Sequence, residues 1–166
     1  MRIPKAPLVI TILVLAVVVQ TALLGRIRSW APDLVVLTVV LFAMTRIRVE
    51  LVLLIGFVAG LVVDLAGTSL TGLRAVVYTA VAYAAIRTTH YAEIGRIATG
   101  LWGGILTFMA LALVVIIGTL FGQNLVGPDI GNRMIIVPLL NAILAALVAP
   151  SFSRLIDRDT GIFGYS

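Results

Sequence analysis

GFVAGLVVDLAGTSLTGLRA, residues 56–75, decides how this chain is read. It is an apolar run carrying one carboxylate, Asp64, with glycines on both sides. A charge inside a membrane segment is costly unless it is paired, functional or close to the end of the span. At 100° per residue, Gly56, Gly60, Asp64 and Gly67 fall within about 80° of one another. The helix therefore has a smooth face that ends in a carboxylate. Smooth faces let another helix come close. Two uses stand open: close packing inside one bundle, or docking of another membrane protein. The spacing recurs as Gly100/Gly104 and Gly118/Gly122, and with alanine as Ala80/Ala84 and Ala142/Ala146.

Asp64 also lies near the negative end of its own helix dipole, which is mildly unfavourable, so a compensating group is expected. Thr68, Ser69, Thr71 and Arg74 follow within the reverse turn or just after it. Gly67 is placed to end the helix in a left-handed conformation. The returning chain would then set Arg74 beside Asp64.

The rest of the chain fits a membrane reading. Of its 166 residues, 61% are hydrophobic. Mean hydropathy is +1.19. Apolar runs of this length and number belong in a bilayer, and in lipid a chain of this kind satisfies its backbone as helices. The expectation is an all-α integral membrane protein, one polytopic domain over residues 1–166. Six spans are expected near 6–24, 34–45, 51–66, 73–86, 97–121 and 134–150. The second and fourth are too short to cross about 30 Å of hydrocarbon without kinking, shielding or snorkelling. The first could pass for a signal peptide, but its apolar core is long and no cleavage site leads into a polar domain. It is read as a retained helix.

Lys and Arg set the orientation. With the N-terminus inside, Arg2, Lys5, Arg46, Arg48, Arg87, Arg96, Arg154 and Arg158 face the cytoplasm. Arg26, Arg28, Arg74 and Arg133 face outward, which is eight against four. Both termini are therefore expected to be cytoplasmic. The net charge of +5 comes from these scattered end-of-segment residues, so nucleic acid is not an expected partner. Trp30 and Tyr91 sit where interfacial aromatics belong. Pro32-Asp33 opens the second span; proline suits a first turn and Asp33 suits an N-cap. Asp33 otherwise reads as a partner contact. GPDIGN, residues 127–132, is turn chemistry.

Catalytic patterns are not legible. His90 is the only histidine, cysteine is missing, and Asp64 is the one acid expected within the membrane. That leaves no metal-ligand set, no aspartyl dyad and no nucleophile elbow. No enzyme, cofactor or metal is expected. A single acid near the rim also gives little to a proton-coupled transporter.

PDLVVL at 32–37, the short basic connection, and the glycine-spaced helix ending in Asp64 with its Gly-Leu-x-Ala re-entry resemble the rod shape-determining MreD family. Arg74 is a departure, since many members carry histidine or another residue after Gly-Leu. The resemblance implies a non-enzymatic component of the bacterial cell-wall elongation machinery in the cytoplasmic membrane. It implies MreC as partner and, through MreC, RodA, a penicillin-binding protein and MreB filaments, with membrane lipids around it. The functional surface is expected on the third and fourth spans, at Gly56, Gly60, Asp64, Gly67, Gly72 and Arg74, followed by Asp33, which also lies at the outer side. The family fold is similar to the six-helix S components of energy-coupling-factor vitamin transporters, so a substrate-binding subunit of that type is the alternative. S components carry an Ala-xxx-Ala pattern on the first helix. Here Ala16 is followed by Gln20, and Ala22 by Arg26, which favours the MreD family.

Overall fold

The computed structural model describes residues 6–23, 31–45, 47–67, 70–92 and 95–160. Among the described residues there are six α-helices. They are α1 (Ala6–Val18, continued by a π-helical turn Val19–Leu23), α2 (Leu34–Ala43), α3 (Val49–Ala66), α4 (Leu73–Ala92), α5 (Arg96–Leu120) and α6 (Ile130–Thr160). It is an all-α membrane protein. Among the described residues three helices are long and apolar enough to cross a bilayer: Val49–Ala66, Arg96–Leu120 and Ile130–Ile156.

α2 is the hub. Its ten residues read LVVLTVVLFA, apolar on every side, and a helix of that kind has to be buried all round. Val35 through Ala43 are buried, and α2 touches every other helix. At about 15 Å long it does not span hydrocarbon by itself. Shielding by its neighbours answers the shortness expected from sequence. Around it, α3 pairs with α4 and α5 with α6, the two most intimate contacts in the fold.

Several helix ends differ from expectation. α4 continues to Ala92, so most of the connection expected at 87–96 is helical. Arg87 folds back on that helix, where its Nε donates to the Tyr83 hydroxyl at 3.0 Å and its guanidinium lies 5.3 Å from the ring centre. Hydropathy marks the end of the apolar stretch; backbone hydrogen bonds carry the helix further. α6 begins at Ile130, so the turn expected at 127–132 is only about half as long. It also runs through Pro138 and Pro150 to Thr160. The extension past Pro150 is held by packing: Phe152 meets Phe42 edge-on at 4.9 Å, and Ile156 is buried. A proline removes one backbone donor, a loss that such burial can offset.

The residues of the topology count at Arg2, Lys5, Arg26, Arg28 and Arg46, and Trp30, Thr68 and Ser69, lie outside the described residues. So do the side chains of His90, Tyr91 and Arg158.

Candidate functional site

Two aspartates organise the end of the bundle where α2, α4 and α6 begin. Asp64 is fully buried, 1% exposed. Its Oδ2 accepts from the backbone N–H groups of Gly72 and Arg74, both at 2.9 Å, and of Ala75 at 3.4 Å. These are the donors that the first turn of a helix leaves unpaired. A serine, threonine or aspartate at the N-cap ordinarily satisfies them. Here the N-cap position is Gly72, with φ +96°, a conformation that glycine adopts without strain. Asp64 supplies the missing cap from the neighbouring helix. The charge that was unfavourable at the end of α3 therefore sits on the positive end of α4. Arg74 Nη1 is 3.7 Å from Asp64 Oδ1, a looser contact than those with the backbone.

Gly60 makes this reach possible. One turn before Asp64, α4 crosses α3 so closely that a Cβ on Gly60 would fall on the Arg74 carbonyl and the Ala75 nitrogen. A turn earlier, a Cβ on Gly56 would stand 2.9 Å from the Tyr78 carbonyl oxygen and 3.2 Å from Ala82 Cβ. The smooth face of α3 is thus taken up inside the chain, against α4.

Asp33 does the corresponding work for α2. Its Oδ1 accepts from Val36 N at 3.1 Å, an N-cap bond. Its Oδ2 accepts from the Tyr78 hydroxyl at 3.4 Å. Gln20 Oε1, from the π-helical turn, accepts from Leu34 N at 2.8 Å. From α6, Asn141 Nδ2 donates to the Asp33 carbonyl oxygen at 3.0 Å and to Thr107 Oγ1 of α5 at 3.1 Å. Five elements therefore meet at the N-terminus of α2. Beside Asp33 a cavity of about 80 Å³ opens, lined by Asp33, Tyr78, Arg74 and Arg133 with an apolar wall from α5.

The expected residues now have places. Gly56, Gly60, Asp64, Gly72 and Arg74 converge on the α3–α4 contact, and Arg74 shares the cavity with Asp33. Gly67 does not join them. It is exposed, with φ −107° and ψ −177°, so it leaves α3 in extended rather than left-handed conformation. The positive φ needed to turn the chain falls at Gly72 instead.

Among the other small-residue pairs, Gly100 and Gly104 do meet Ala142 and Ala146 across α5 and α6. Gly118 and Gly122 form no helix face. Gly122, at φ +77°, ends α5 with its N–H bonded to Thr119 O and the next N–H to Gly118 O, a Schellman arrangement. On α4, Ala82 and Ala85 are buried while Ala80 is exposed, so the packed face is not the Ala80/Ala84 one. Gln20, Tyr78, Thr107, Asn141 and Arg133 were missed. For Gln20 and Asn141 the signal was available: each is a lone amide within an apolar run, and such residues in membrane helices usually bond across helices.

As chemistry, the arrangement holds helix ends in register. Among the described residues no three His, Cys, Asp or Glu side chains gather in a way that would hold a metal. The family model described as rod shape-determining protein MreD matches residues 2–158. The chain belongs to the MreD family. It is accordingly a membrane-embedded protein of a family that determines rod shape. No curated protein and no solved structure matches it.

Proposed function

We propose that this protein is a non-enzymatic scaffold of the bacterial cell-wall elongation machinery, held in the cytoplasmic membrane with both termini inside. The family match over residues 2–158 carries this reading. In that orientation Asp33, Asp64, Arg74 and Arg133 gather at the outer end of the bundle.

The partner is MreC, and through it the protein acts on RodA, its penicillin-binding protein and MreB filaments. Because Gly56 and Gly60 are engaged within the chain, MreC is met by outward side chains instead. We place that contact on α3 and α4, where Phe57, Leu65 and Val76 are exposed. The Asp64 cap ties the end of α3 to the start of α4. Any effect on the synthase then comes from different affinity for its two states.

The test is a gentle-detergent pull-down of the tagged protein from its own membranes, compared with an unrelated six-span protein. Enriched MreC, reduced by Phe57→Ala with Val76→Ala while the variant still folds, is the expected result. Recovery of an ATPase and a membrane coupling subunit without MreC would replace the scaffold with a transporter subunit. Unchanged cell shape on depletion would remove the wall link.

A further inference from the structure

The cavity beside Asp33 is closed on one side by the connection between α5 and α6. That connection, residues 121–129, runs from Leu120 to Ile130. Its backbone bonds are local. Gln123 N donates to Gly118 O at the end of α5, Leu125 N to Gln123 O at 3.0 Å, and Gly127 N to Leu125 O at 3.2 Å. The last two each reach back only two residues, as in γ-turns. Asn124 and residues 126–129 are exposed. Segments with mostly exposed residues open at low free energy compared with a packed core.

Leu125 is placed differently. It is partly buried and lines the cavity beside Asp33, Tyr78, Arg74 and Arg133. Its side chain is seated on Gly118. A Cβ at position 118 would fall on Leu125 Cδ1 and stand 3.4 Å from Leu73 Cδ2. Gly118 and Leu73 are both buried. Glycine at 118 therefore leaves a notch between α5 and the start of α4, and the connection sets one leucine into it. Gly100, Gly103 and Gly104 receive a helix; Gly118 receives a loop.

We propose that residues 121–129 are a gate over the cavity, with Leu125 as its latch in the Gly118 notch. Shut, the gate limits the space to about 80 Å³, room for two or three waters at about 30 Å³ each. Released, it opens the chamber of Asp33, Arg74 and Tyr78 to molecules larger than water. The latch is a contact within this chain, so the gate stands independently of the scaffold reading.

Thiol labelling of the full chain in micelles tests it. The sequence has no cysteine, so a single one reports access without background. Ala110 lines the cavity and is 1% exposed. Ala110→Cys is labelled with sulfonatoethyl methanethiosulfonate, a reagent too large for the shut cavity. Labelling should be slow with the latch intact and about tenfold faster with Leu125→Ala, the order set by losing part of the burial of one leucine. Leu125→Ala also widens the cavity wall, and Gly118→Ala separates the two effects. That change removes no atom and turns Leu125 out of its seat. A static hole predicts unchanged or slower labelling; a released latch predicts about threefold faster or more. With alanine at 125 the added methyl meets no latch, so the double variant should label like Leu125→Ala alone. Val40→Cys, on α2, 0% exposed and outside the cavity lining, should stay unlabelled in every background. Melting of each variant establishes that it folds. Labelling that is fast with the latch intact, indifferent to the latch variants, faster with Leu125→Ala only, additive in the double variant, or matched at Val40→Cys would overturn the gate.

Discussion

The α3–α4 and α5–α6 contacts are both built from small residues, yet they are different joints. On α5–α6, a Cβ on Gly103 or Gly104 would meet alanine side chains first, Ala145 Cβ at 2.8 Å and Ala142 Cβ at 2.9 Å, while one on Gly100 would meet backbone first, Ala142 O at 2.7 Å. On α3–α4, Gly60 faces backbone, and a buried carboxylate one turn on ties that backbone down. A joint made of side chains can be repacked by changing the opposite residue. A joint made on backbone has no residue to change. The small-xxx-small spacing alone does not distinguish the two.

The carboxylate carries the largest expected effect. Asp64→Ala leaves three backbone N–H groups without their acceptor and removes a buried charge beside Arg74. The cost is about 3–5 kcal/mol, mostly from the buried N–H groups left without an acceptor at about 1–3 kcal/mol each. Asp64→Asn keeps one acceptor oxygen and should recover about half. The measurement is the unfolding free energy in mixed micelles. An Asp64→Ala protein within about 1 kcal/mol of wild type would show that water or another group caps α4.

Gly60→Ala comes next, at about 3 kcal/mol, the upper end of overpacking costs. The atoms in the way are the Arg74 carbonyl and the Ala75 nitrogen. No second substitution on α4 should rescue it. On the other joint, Gly103→Ala is expected to cost about 1–2 kcal/mol. Gly103→Ala with Ala145→Gly should return most of that loss, because Asn141 O, the other neighbour, is at an ordinary 4.0 Å. Failure of the swap, or a rescue of Gly60→Ala from α4, would erase the distinction between the joints.

The same contrast marks what the sequence makes legible. Asp64 with glycines before and after it announces a special helix end, and the all-α membrane fold follows from the apolar runs. The sequence suggests a side-chain partner for Asp64 because side chains are what it spells out. The principal partners are instead backbone N–H groups, which every residue has and no letter records. Gly67 and Gly72 look alike in the sequence; which one takes the positive φ depends on where α4 must begin to meet Asp64. Helix ends that tertiary packing holds, as Phe152 and Ile156 hold α6 beyond Pro150, are equally hidden. The cavity is hidden for a related reason, since Asp33, Arg74 and Arg133 come from three separate helix starts.

Arg74 provides the smallest and sharpest test of the α3–α4 joint. Its guanidinium is 3.7 Å from Asp64 Oδ1, and its side chain is about a quarter exposed (26%) while that of Asp64 is fully buried. If the ion pair were the main support of Asp64, Arg74→Gln would approach Asp64→Ala in cost. If the backbone N–H groups are the main support, Arg74→Gln should cost below about 1 kcal/mol, as for a pair that solvent reaches. The cycle of Asp64→Asn, Arg74→Gln and the double variant measures the difference directly. We expect a coupling of no more than about 1 kcal/mol, with Asp64→Asn far more costly than Arg74→Gln. That asymmetry follows from geometry: a substitution at position 74 retains the backbone N–H that Asp64 holds, while a substitution at position 64 removes the acceptor for all of them.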